Sequence, residues 1–131
     1  MNKILVFLRR RVWLLKQVYG PVYLRLYFLL TFFLNLALFL SAYFIYSSNS
    51  GQLLILHYNI DFGIDLLGEP IKIFLLPLAG LLIYLINFIL VFFFYRKKNY
   101  SLFSHFLPIT ALLFNIFLLI AMLSLYLINF R

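Results

Sequence analysis

Cysteine is absent from the 131 residues, which excludes disulfides, thiol chemistry and cysteine-ligated metal sites. Acid is scarce as well: Asp61, Asp65 and Glu69 are the three carboxylates, against 11 lysines and arginines. No glycine-rich phosphate loop occurs, and no serine, histidine and carboxylate set shares a common placement, so the sequence offers nothing for a catalytic role or a cofactor. Polar surface is the largest deficit. With 66% hydrophobic residues in a chain this short, a water-soluble core has nothing to cover it, and the single domain belongs in lipid.

What is present is three long apolar runs. The run 71–95, IKIFLLPLAGLLIYLINFILVFFFY, spans ~37 Å as a helix at ~1.5 Å per residue, more than the ~30 Å hydrocarbon core of a bilayer. Comparable runs lie at 26–46 and 102–129. These predict an all-α integral membrane protein with three transmembrane helices, forming a membrane domain over 21–131 with an acidic external segment at 52–70.

Residues 1–20 read as a basic amphipathic helix. Ile4, Leu5, Leu8, Val12, Leu15 and Tyr19 share a stripe, while Arg9, Arg10 and Lys16 lie largely opposite, beside Arg11. This fits an interfacial helix on anionic headgroups, with a basic leader that acts only during insertion as the alternative. Gly20-Pro21 ends the segment. The apolar run that follows exceeds the core of a cleaved signal peptide, and a retained anchor fits better.

The basic residues set the topology. Lys3, Arg9, Arg10, Arg11, Lys16 and Arg25 precede the first span, and Arg96, Lys97 and Lys98 form the turn between the second and third. The other side has Lys72 and Arg131 alone. The positive-inside rule then puts the N-terminus in the cytoplasm and the C-terminus outside, with a bacterial cytoplasmic membrane as the expected residence. Flanking clusters of this kind argue against nucleic-acid binding, which needs a basic face on a soluble surface.

Each span carries one asparagine in its apolar body: Asn35 ten residues after Arg25, Asn87 nine before Arg96, and Asn115 ten after His105. Equal spacing from the cytoplasmic edge places all three near the midplane, ~14 Å in, where a carboxamide needs a partner. The expectation is a three-way interhelical polar contact worth ~0.6–2 kcal/mol per pair. Small residues at helical spacing, Ala42, Gly80 and Ala111 among them, support a packed face, and Pro77 and Pro108 are expected to bend their helices.

The segment LLILHYNIDFGIDLLGEP is the least generic. From Leu56 to Leu66 apolar and polar residues alternate, as in an extended strand with one greasy face, and a lone strand offers a docking edge. A helix is the competing reading, since His57, Asp61, Asp65 and Glu69 are spaced by four and would stack on one face. A single histidine and the helix-weakening Gly63 and Gly68 count against a metal site there, and a structural or protein-contacting loop is the preferred reading, with these four residues as candidates for partner contact.

HYNIDFGIDLLG followed by LLPLAGLLIYLINF resembles a group of small, uncharacterised bacterial membrane proteins with three predicted spans, over residues 56–115. The resemblance implies the three-span layout and no activity. Short loops, a patterned external segment and midplane amides favour a small accessory, structural or assembly subunit of a membrane complex, partnered by other subunits or by itself. An oligomeric channel or carrier for ions or small solutes, including a holin-like pore, is the alternative.

Overall fold

A computed structural model describes residues 3–49, 51–59 and 63–130, with the backbone alone for 3–7, 10, 11, 14, 57–59 and 63–65. Helix α1 covers Lys3–Val18, α2 Val22–Ser48, α3 Leu75–Phe94 and α4 Tyr100–Phe130. Strands β1 (Leu54–Asn59) and β2 (Gly63–Gly68) form an antiparallel hairpin between α2 and α3. A 3-10 turn, Pro70–Phe74, leads from β2 into α3.

Among the described residues three segments are long and apolar enough to cross a bilayer: Val22–Ser48, Pro70–Phe94 and Tyr100–Phe130. The chain is an integral membrane protein. Its helices overrun the apolar windows by a few residues, because backbone hydrogen bonding continues until a residue stops it. Pro21, at φ −58° and ψ 130°, holds extended backbone ahead of α2. At the far end Gly51 takes φ +93°, a conformation that costs glycine little, and turns the chain toward β1. Pro77 stands in the first turn of α3, where a missing N–H costs little, so the change from 3-10 turn to α-helix falls just before it. Pro108 lies inside α4 without ending it.

The spans pack as a bundle in which α2 and α4 run parallel and α3 runs antiparallel to both. Tyr23 meets Ser104 at the start of α2 and α4, and Phe44 meets Tyr126 near their ends. Two apolar clusters fill the bundle. One, at the basic end, buries Val18, Leu24, Phe28 and Val91. The other, at the hairpin end, buries Leu38, Ala42, Ile45, Leu54, Ile73 and Met122.

The hairpin corrects the expectation of one extended strand over 56–66. The chain reverses between Asn59 and Gly63, which pair with each other, and the ladder returns to Leu54 opposite Gly68. Pairing with itself satisfies backbone groups that a lone strand would leave open. The register slips on either side of His57, leaving Leu56 and Asp65 outside the pairing. Such bulges increase local twist, and Leu56 packs against the hairpin-end core. The helical alternative also falls, since His57 and Asp65 stand on opposite strands and cannot share a helix face with Glu69.

Candidate functional site

Midway through the bundle, between the two apolar clusters, lies an amide layer. Asn35 and Asn115 are 4% and 0% exposed. The Asn35 Nδ2 donates to Asn115 Oδ1 at 3.1 Å and to the Pro77 carbonyl at 3.0 Å. Asn115 Nδ2 in turn donates to the Gly80 carbonyl at 3.4 Å and to Ala111 of its own helix at 3.0 Å. One layer thus links α2, α3 and α4 through two side chains and the backbone of α3. Gly80 makes it possible: a Cβ there would lie 2.6 Å from both Asn115 Oδ1 and Asn35 Nδ2. Carbonyl oxygens already used in a helix accept again through their second lone pair.

Asn87 does not join this layer, which corrects the expected three-way contact. Its Nδ2 bonds the Ile83 carbonyl of its own helix at 2.9 Å, and its Oδ1 accepts from Thr110 Oγ1 at 3.4 Å. The reason is a stagger at the basic end. Phe28 and Phe88 meet at 5.1 Å between ring centroids, so they mark one level. Arg25 is three residues from that level, whereas Arg96 is eight residues beyond it, a difference of ~7 Å along the helix. Counting from the flanking cations therefore places Asn87 too deep by more than a turn, and Gly80, further along α3, takes the level it was expected to hold.

Toward the basic end the polar groups are phenols. Tyr19 Oη donates to the Phe88 carbonyl at 2.6 Å, and Tyr100 Oη donates to the Val18 carbonyl at 2.7 Å. Tyr95 Oη donates to Gln17 Oε1 at 3.0 Å. Together these tie the end of α1 to α3 and α4. The Tyr19 ring stacks on Phe88 at 4.5 Å, and burial, followed by the neighbouring Tyr100 and Tyr84 phenols, raises its pKa above the ordinary value. Tyr23 shares a hydrogen bond with Ser104 at 2.9 Å and stacks on His105 at 4.2 Å.

At the opposite end Asn129 plays the role of a strand. Its Oδ1 accepts from the Ile55 N–H at 2.9 Å, and its Nδ2 donates to the Ile55 carbonyl at 3.0 Å. One side-chain amide thereby closes both backbone groups of Ile55 in β1. No sequence signal marks it beyond an asparagine near the end of an apolar run.

The remaining residues singled out from the sequence are dispersed. Arg9 and Lys16 are exposed on α1, and the side chains of Arg10 and Arg11 lie outside the described residues. Glu69 is exposed between β2 and the 3-10 turn; Asp61 lies outside the described residues, as do the side chains of His57 and Asp65. Among the described residues no three histidines or carboxylates stand together as metal ligands. Fold and amide layer define a small three-span membrane protein held by internal polar pairs. No family model, curated protein or solved structure matches the chain.

Proposed function

We propose that this chain is an accessory or assembly subunit of a larger membrane complex, residing in a bacterial cytoplasmic membrane with its basic end in the cytoplasm. The observation that carries this reading is the internal satisfaction of the bundle. Among the described residues no buried side-chain nitrogen or oxygen lacks a partner, and Asn35 and Asn115 spend their amides on one another and on α3. A hydrated path would need polar groups aimed at an opening, and these are turned inward and closed.

What the molecule offers outward supports contact rather than chemistry. β1 is closed at Ile55 by Asn129, whereas Leu66 and Leu67 of β2 are each 52% exposed beside Glu69. The β2 edge beside Glu69 is the surface assigned to a partner subunit, by strand addition or by side-chain contact. Helix α1 rests on anionic headgroups of the cytoplasmic leaflet, because its stripe residues Leu8, Val12 and Leu15 stay exposed and need lipid to cover them.

Extraction of native membranes in mild detergent, followed by affinity capture of the full chain, tests the proposal. A defined set of membrane proteins co-purifying, and lost when β2 carries Leu66→Lys and Leu67→Lys, is the expected result. A monodisperse monomer from the same membranes overturns it, as does solute or ion flux through purified protein in liposomes that Asn35→Leu abolishes.

A further inference from the structure

Where α1 turns into α2, an open groove of about 670 Å³ runs between the turn and the bundle. Its lining is chemically mixed. Val12, Leu15, Phe28 and Phe88 supply apolar surface, and Lys16 and Arg25 supply two cations. Both cations are exposed, and Arg25 Nη2 donates to the Gly20 carbonyl at 3.1 Å, which fixes the guanidinium over the turn with its other N–H groups still to use.

We propose that this groove seats one anionic phospholipid, its phosphate held by Lys16 and Arg25 and an acyl chain laid along Val12, Leu15, Phe28 and Phe88. Charge complementarity selects the occupant. The carboxylates all follow α2 in sequence, and α2 continues ~35 Å beyond Arg25 to Ser48, toward the hairpin. Glu69 therefore lies at the far end of the bundle, and no carboxylate neutralises the pair from within α1 or α2. Two cations and four apolar side chains share the one groove, matching a molecule charged at one end and greasy along the rest. A guanidinium and an ammonium together suit a phosphodiester, the first through its fork and the second as a point charge. The tyrosine bonds from Tyr19 and Tyr100 hold the turn rigid, so the groove exists before lipid arrives.

This inference deepens the placement of α1 on an anionic leaflet and rests on it. It is tested by native mass spectrometry of the full chain released from detergent after incubation with dioleoyl phosphatidylglycerol or dioleoyl phosphatidylcholine. One phosphatidylglycerol retained per chain is expected, with phosphatidylcholine retained far less. The double substitution Lys16→Gln and Arg25→Gln should weaken retention about 30-fold, from the loss of two charges near a membrane surface. Lys97→Gln with Lys98→Gln should leave it unchanged, and Lys16→Arg with Arg25→Lys should restore it, which separates charge from folding.

Glycerophosphoglycerol, the soluble headgroup, should not displace the lipid; displacement at equal concentration would reduce the site to a free-phosphodiester site and overturn the proposal. Equal retention of both lipids overturns it also. Protease protection of α1 in phosphatidylglycerol vesicles keeps the two readings apart. A protected α1 with no retained lipid defeats the groove alone, whereas a cleaved α1 defeats the leaflet placement beneath it.

Discussion

At the basic end the bundle is closed by rings: Tyr19, Tyr84, Phe88 and Phe92 pack around Leu24, Phe28 and Val91, and phenolic hydroxyls reach the backbone of α1 and α3. At the hairpin end the buried core is Leu38, Ala42, Ile45, Leu54, Ile73 and Met122, and the Asn129 amide fastens the hairpin at Ile55. Both ends hold a peripheral element on three helices that need no help to be apolar. The difference follows from where each lies. Tyrosine combines an apolar body with a polar tip, which suits a side chain that must pack on a span and still reach a turn at the interface. The hairpin instead presents an open strand edge, and only a group with a donor and an acceptor side by side, as in a carboxamide, matches it. Between them, the Asn35–Asn115 layer keeps both ends in register.

The largest effect should come from breaking that layer. Gly80→Val places a branched side chain where even a Cβ would lie 2.6 Å from two amides. The helices must separate or the amides must swing away unpaired, at a cost of about 3 kcal/mol. Unfolding in graded sodium dodecyl sulfate, followed by circular dichroism, reads the loss, and both ends should loosen together in hydrogen exchange. Retention of wild-type stability would mean that α3 does not approach the amides so closely.

Next in size are the amides themselves. Asn35→Leu strands the Asn115 Oδ1 acceptor, costing about 1–2 kcal/mol, and Asn115→Leu should cost less, because Asn35 Nδ2 keeps the Pro77 carbonyl. The double variant should recover part of that loss, because no orphan amide remains. Asn87→Leu should cost about 0.5 kcal/mol, since its amide is satisfied mostly within its own helix. If all three single variants fall equally, the layer has three members and the stagger between Arg25 and Arg96 is wrong.

The ends can then be set against each other. Tyr100→Phe removes the donor to Val18, and Asn129→Leu removes both partners of Ile55, each at about 1 kcal/mol. Faster exchange should appear at the close of α1 in the first and in β1 in the second, with no crossover. Their effects should add, because the sites share no contacts. Coupling between them would show that the two ends are one cooperative unit.

How much of this was legible in the sequence depends on which groups carry the information. Span number follows from apolar runs bounded by Arg25, the serine-rich turn and Arg96–Lys98, because lipid permits few other arrangements. The level shared by Asn35 and Asn115 follows from counting along two parallel helices, whose offsets cancel. Asn87 falls outside the layer because the basic end of α3 overhangs that of α2, so the stagger must be subtracted from its count back from Arg96. The hairpin was hidden behind an unbroken alternation, since a period of two survives a reversal of direction. Gly80 is legible as a small residue on the packed face, but not as the group whose carbonyl takes Asn115, because that acceptor is backbone. Asn129 carries no such signal, since its partner is the backbone of β1 and backbone leaves no trace in residue type.

The smallest expected effect is confined to the basic end and has a sign. Burial raises the Tyr19 pKa above its ordinary value of 10.0, with the Tyr100 and Tyr84 phenols adding to the shift. The folded state therefore keeps a proton that the unfolded chain gives up near its ordinary value. The contribution of Tyr19 is complete below that pH and declines as pH rises through the interval up to the raised value. Ionisation would also remove the donor to the Phe88 carbonyl and put charge beside stacked rings. In an alkaline titration followed by phenolate absorbance, the difference between the wild-type chain and Tyr19→Phe isolates one of ten tyrosines. That difference should appear only above the pH at which the exposed tyrosines ionise, together with faster proteolysis of α1, while exchange in the hairpin stays unchanged. A Tyr19 that ionises with the exposed phenols would mean that the close of α1 is open to water, and the contrast between a ring-sealed end and an amide-sealed end would lose its first half.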